Sequence, residues 1–145
     1  MGWGFVYVLA NECMPGIYKI GMTEKAPQER LEQLSSATSI PLPFDMVFFA
    51  QVQNPLKVEQ AMHRHFEDRR VNESREFFRA SIKDIHDYLE RTTEPFHIYE
   101  QLYQWELYQE GEREKAAHRQ SLIDHFASQC HDPIHWPKTK PLFFE

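Results

Sequence analysis

Phe5-Val6-Tyr7-Val8-Leu9 is an apolar run of β-formers, and Ile17-Tyr18-Lys19-Ile20-Gly21 is a second. Between them lies Asn11-Glu12-Cys13-Met14-Pro15-Gly16, where Pro and Gly together mark a turn. Residues 5–21 therefore read as a β-hairpin. Downstream, Pro27 fits the first turn of a helix that Arg30, Leu31 and Leu34 carry to about Ser36. Pro41 and Pro43 bar regular structure and lead into a third strand over residues 44–52. Asn54-Pro55 opens a helix with Asn as cap, and Val58, Met62 and Phe66 form its buried stripe. The charged run to Arg75 reads as a loop or short edge segment, after which Glu76-Phe77-Phe78 re-enters the core. Ser81 caps a further helix, Ile82–Arg91.

Thr92-Thr93-Glu94-Pro95 is the strongest break, so residues 1–92 are expected to form one domain and 93–145 a helical C-terminal extension. In the extension, Ile98, Leu102 and Trp105 have helical spacing, Gly111 interrupts, and residues 112–129 resume as a charged helix. The stripe is expected to pack on the domain, on a second copy as a homodimer, or on a protein partner. The expected fold class is α+β: a small three-stranded, mainly antiparallel sheet flanked by helices, with that extension.

The 145 residues are 41% hydrophobic and 14% aromatic, enough for one packed core. The net charge of −6 excludes a globally basic nucleic-acid coat but leaves room for a local basic groove. It is shared unevenly, with 11 basic and 13 acidic side chains in residues 1–92 and 5 against 9 afterwards. No apolar run approaches the ~20 residues of a membrane helix, so no membrane partner is expected. The N-terminus has no basic region before its apolar stretch, and the two cysteines, Cys13 and Cys130, lie far apart; both features lead us to expect a reducing cytoplasm.

Val6-Tyr7-Val8-Leu9, Pro15-Gly16-Ile17-Tyr18-Lys19-Ile20-Gly21 and Arg75-Glu76-Phe77-Phe78 together resemble the GIY-YIG endonuclease superfamily, specifically its bacteriophage-type DNA-binding branch, over residues 4 to 90. The resemblance implies hydrolysis of a DNA phosphodiester with Mg²⁺ or Mn²⁺. It also implies roles: Tyr7 activates water, Arg30 stabilises the phosphate, Glu59 holds the metal, and Asn72 matches the late asparagine. Phage, mobile-element and host-defence settings all fit it.

One position departs from the pattern. Lysine stands at 19, where tyrosine is usual, and Tyr18 precedes it. A strand alternates faces, so only one of the two points into a site. A Lys19 ammonium there would favour the Tyr7 phenolate, whose ordinary pKa is about 10, or bind the phosphate itself. Each assignment has a plainer counterpart. Tyr7 fits a core position, Arg30 a solvated helix face beside Glu29 and Glu32, and Glu59 a structural ion pair. His63, four residues after Glu59, is placed as an acid or phosphate contact, with a surface histidine as the alternative. Arg64, Arg69, Arg70 and Arg75 are the expected nucleic-acid contacts, diluted by Glu67, Asp68 and Glu73. Glu76 is read as orienting an arginine. His125, Cys130, His131 and His135 have zinc-ligand types, but Pro133 breaks any shared helix. The alternatives to an endonuclease are an inactive DNA-binding module of the same fold and a protein-interaction domain.

Overall fold

Alternation of large apolar side chains along three strands sets the centre of the structure. The computed structural model describes residues 2–36, 42–72 and 76–129. β1 (Trp3–Ala10) turns back into β2 (Ile17–Thr23). Asn11 shapes the turn: its side-chain oxygen accepts from Cys13 N–H at 2.9 Å and its amide donates to Leu42 O at 2.7 Å. Gly16 supplies the positive φ of 80° that closes it. α1 (Pro27–Ser35) starts on a proline whose φ is already helical. β3 (Asp45–Gln53) then pairs with the other side of β1, and α2 (Pro55–His65) follows. Asn54 stands at the cap position of α2 but is left-handed, with φ 55°, and its side chain makes no cap bond. It serves the turn rather than the helix end.

A 3₁₀ turn at Glu67–Arg69 leads to β4 (Phe77–Arg79), α3 (Ile82–Thr92), β5 (His97–Glu100) and α4 (Tyr103–Gln129). The sheet has five antiparallel strands in the order β4-β2-β1-β3-β5, not the three expected. The two added strands are edge strands of three and four residues, too short to carry a readable alternation. The helical spacing of Ile98, Leu102 and Trp105 was coincidental. Ile98 enters the core from β5, and Trp105 is 54% exposed on α4. Gly111 does not interrupt α4: a Cβ there would meet nothing, so its cost is the ordinary helix penalty of about 1 kcal/mol.

One face of the sheet carries the main core, where Val6, Val8, Ile20 and Phe48 meet Met62, Phe66 of α2 and Ile85, Leu89 of α3. The other face carries a smaller cluster of Tyr7, Leu9, Phe44 and Met46 under Leu31 and Leu34 of α1. The first compact unit runs Met1–Glu110, past the break expected at 92/93, because β5 and the start of α4 complete it. Tyr103 is buried against Phe48 and His86. Glu110 holds the start of α3, accepting from Ser81 Oγ–H at 2.7 Å and Ile82 N–H at 2.9 Å. The second unit, Gly111–Glu145, is described to Gln129 as exposed helix. Cys130, His131 and His135 lie outside the described residues. No helix among the described residues is long and apolar enough to cross a membrane.

A chain ending at Thr93 lacks β5, Tyr103 and Glu110, whereas one ending at Arg113 keeps them. Thermal denaturation should show the shorter chain less stable by several kcal/mol, of which the cap alone contributes about 1 kcal/mol. Equal melting of the two would show that residues 94–110 do not belong to the folded unit.

Candidate active site

The hairpin register decides which side chains share a face. Tyr7 lies opposite Gly21 and Leu9 opposite Lys19, so Tyr7 and Lys19 stand on the same side of the sheet. Tyr18 points to the other side, buried in the main core, with its hydroxyl donating to Glu106 at 2.9 Å. A Cβ at position 21 would overlap the hydroxyl and ring of Tyr7. Glycine is therefore required where the tyrosine ring lies across β2. Tyr7 is 2% exposed, and its oxygen accepts a long hydrogen bond from Arg30 Nε–H at 3.4 Å. Burial raises the Tyr7 pKa above its ordinary value, and the Arg30 bond and charge oppose that rise. The cation beside the phenol is thus Arg30. The Lys19 ammonium is taken by Glu76, 3.2 Å away, and lies 5.5 Å above the Phe77 ring.

The remaining groups gather where β4 ends. β4 pairs with β2 from Ile17 to Lys19, and Ile20 N–H still reaches Glu76 O at 3.1 Å. Beyond that point the outer edge of β2 needs other partners. α2 supplies them one turn apart. The Ile20 carbonyl accepts from His63 Nε2–H at 2.8 Å, and Met22 N–H donates to the Glu59 carboxylate. The carbonyl fixes the tautomer, leaving His63 Nδ1 to accept from Arg70 Nη2 at 3.3 Å. Burial lowers the His63 pKa, against the Ile20 bond, so the ring is neutral near pH 7. Glu59 is pushed up to about 7, first by burial and then by the charge of Glu76, with Lys19 and the Met22 bond pulling down.

Glu59, His63 and Glu76 each offer a ligand atom, all within 4.8 Å of one another. Both His63 nitrogens are engaged, whereas the two carboxylates are hard oxygen donors suited to Mg²⁺ or Mn²⁺. The structure thus brings Tyr7, Lys19, Arg30, Glu59 and His63 together about the middle of the hairpin.

The expected arginine track is not one surface. Arg64 is exposed on α2. Arg69 lies 3.6 Å from Asp84 and over the Phe66 ring. Arg70 turns inward to His63, with its guanidinium 5.3 Å above Phe78. Arg75 lies outside the described residues. Asn72 is exposed, next to Val71, whose N–H pairs with Phe77 O at 2.9 Å. Glu76 was the residue the sequence misassigned: it meets Lys19, not an arginine. The available signal was its place just before Phe77-Phe78, because a strand starting there and pairing with β2 sets Phe77 opposite Lys19.

The T5orf172 domain matches residues 4–93, from β1 through α3, and every side chain of this site lies within the match. The chain belongs to that family, a phage-associated domain of endonuclease type. No curated protein and no solved structure matches the chain.

Two variants check the geometry. Gly21→Ala should cost about 1–3 kcal/mol, because the added methyl must displace the Tyr7 ring, and it should disturb the Tyr7 resonance in NMR. Unchanged stability would mean that the ring does not lie over Gly21. Glu59→Gln keeps an acceptor for Met22 N–H but removes the acid. The folded chain holds the Glu59 proton to about pH 7, the unfolded chain only to about 4.5. The unfolded chain alone ionises between those values, so native stability falls as pH rises through that window. In chelator, urea unfolding should find Glu59→Gln more stable than the native chain above pH 7, by about 1 kcal/mol after allowance for solvent screening, and equal to it near pH 4. A variant less stable at pH 8 would contradict the burial of this carboxylate.

Proposed function

We propose that this T5orf172-domain protein is a GIY-YIG-type endonuclease that hydrolyses DNA phosphodiester bonds with Mg²⁺ or Mn²⁺. The observation that carries the reading is the convergence of the Tyr7–Arg30 pair with Lys19 and two neighbouring carboxylates about the middle of the hairpin. The donor set fits a divalent ion. Glu59 and Glu76 offer oxygens within 4.8 Å of each other, and the Glu59 pKa, raised to about 7 by burial and then by the Glu76 charge, would be lowered again by positive charge. Few protein ligands are needed, since Mg²⁺ keeps waters and takes phosphate oxygens. When bound, such an ion supplies positive charge for the non-bridging and leaving oxygens.

The chain's own groups do the rest. The Tyr7 oxygen positions the attacking water and accepts its proton in the tyrosinate form, which Arg30 favours by hydrogen bond and charge. Arg30 then turns toward the phosphate, where its fork of donors matches charge building on the oxygens. Lys19 reaches the same phosphate when Glu76 is engaged elsewhere. His63 acts through position, locking the β2 edge on one side and Arg70 on the other. DNA binding without turnover is the second reading. It is favoured by the burial that raises the Tyr7 pKa and by the pairing of Lys19 with Glu76.

One assay separates the readings. Single-stranded, duplex and branched DNA should be cut with Mg²⁺ or Mn²⁺ and remain intact with chelator. Tyr7→Phe and Glu59→Ala should each lower the rate by about a hundredfold or more, with binding retained in Tyr7→Phe. Because the folded Tyr7 pKa lies above its ordinary value, the rate should still be rising with pH at 9. Cleavage that survives chelator or Glu59→Ala would refute the metal role. Binding of all three DNA forms with no cleavage would establish the second reading.

A further inference from the structure

The sheet face that carries Tyr7 extends beyond the site. α1 lies over a cluster that takes in Leu9, Met46 and the half-buried Phe49, and toward β5 the rings continue to Tyr99. Phe49 lies directly opposite Tyr7 on β1 and directly opposite Tyr99 on β5. The Phe5 ring meets Phe49 edge-on at 5.7 Å, and Phe49 and Tyr99 stack at 4.9 Å with 19° between planes. Tyr99 is 40% exposed, and its neighbour on the same face, His97, is also exposed. Gln51, paired with both Phe5 and His97, places an amide among the rings.

Charge is distributed unevenly over the same face. The protein has 22 acidic against 16 basic side chains. Yet the register puts no carboxylate among the described strand residues on the Tyr7 side, while Lys19 and Arg79 stand there. Glu59 and Glu76 approach it only from the outer edge of β2. Glu29 and Glu32 stand on the α1 end of the face, and its strands toward β5 present aromatic rings free of carboxylates to an anion with planar groups. In duplex DNA the base faces are already stacked, so the outer face of Tyr99, whose inner face rests on Phe49, can be used only by unpaired bases.

We infer that Tyr99, backed by the Phe49 and Phe5 rings, is a stacking platform for an unpaired base of a single-stranded DNA segment leading into the Tyr7 site. The inference rests on the nuclease reading for the identity of the polymer, and it adds the form of the substrate. Binding through stacking also suits a chain of net charge −6, and predicts a shallow dependence on salt.

The test uses the full chain in chelator, with fluorescence anisotropy of a labelled 12-nucleotide single strand and of its duplex. The single strand should bind more tightly than the duplex. Tyr99→Leu, which keeps apolar bulk but loses the π-face, should weaken single-strand binding about fivefold or more, and Tyr99→Trp should retain it. Tyr99 sits on an edge strand, and circular dichroism will verify that the variants are folded. Single-strand binding unchanged in Tyr99→Leu overturns the platform. So does a preference for duplex, which leaves the nuclease reading standing. Absence of binding to either form overturns both. A wild-type mass of two chains in solution that falls to one in Tyr99→Leu would assign the face to a second copy and also overturn the platform.

Discussion

The packing of the Tyr7 ring over Gly21 is the constraint on which the site depends. An antiparallel pair fixes which residues oppose each other, and a tyrosine can lie flat across its neighbour only if that neighbour has no Cβ. Once Tyr7 lies there, its hydroxyl falls within reach of Arg30 from α1. The same register sends Lys19 to the Tyr7 face and Tyr18 into the opposite core. A slip of one residue would exchange the faces of Lys19 and Tyr18, burying an ammonium against Phe78. The hydrophobic effect and the cost of burying a charge therefore fix the chemistry of this face together.

A second constraint comes from the short β4. Had β4 run further, its backbone would have satisfied Ile20 and Met22, and α2 would have packed by apolar contact alone. Because pairing stops, the β2 edge is completed by Glu59 and His63. These side chains thus hold the sheet edge and line the site at once. A carboxylate bonded to a backbone N–H has a fixed position before any ligand arrives, which is the pre-organisation a metal or phosphate site requires.

What the sequence made legible was local. The hairpin at 5–21, the proline-started helices, the Val58–Met62–Phe66 stripe and the Ser81 cap follow from neighbours within a few positions. β4 and β5 escaped because their evidence is the unpaired edges of β2 and β3, far away in sequence. The arginine cluster escaped for a related reason: adjacency in a chain says nothing about direction, and Arg69 and Arg70 diverge to Asp84 and His63. Glu76 required the β4–β2 register, which no short-range pattern encodes. Tyr7, Arg30, Lys19 and Glu59 were nameable because a resemblance supplied the long-range pairing that periodicity lacks.

The electrostatics of the site follow from this crowding. Two groups that are anionic in their charged forms, the Tyr7 phenol and the Glu59 carboxyl, both have pKa values pushed upward by burial. Two cations stand beside them, and each already has a partner: Arg30 with Tyr7 and Gln33, Lys19 with Glu76. Without added charge, the lowest-energy state keeps protons on the acids and leaves Lys19 locked. A cation at Glu59 and Glu76 would change three things together. It would draw the proton from Glu59, weaken the hold of Glu76 on Lys19, and offset the Glu76 charge that opposes ionisation of Tyr7. In the proposed reaction, nucleophile activation and phosphate binding would thereby be coupled through Glu76, the group that touches Lys19 directly and acts on Tyr7 and Glu59 through its charge.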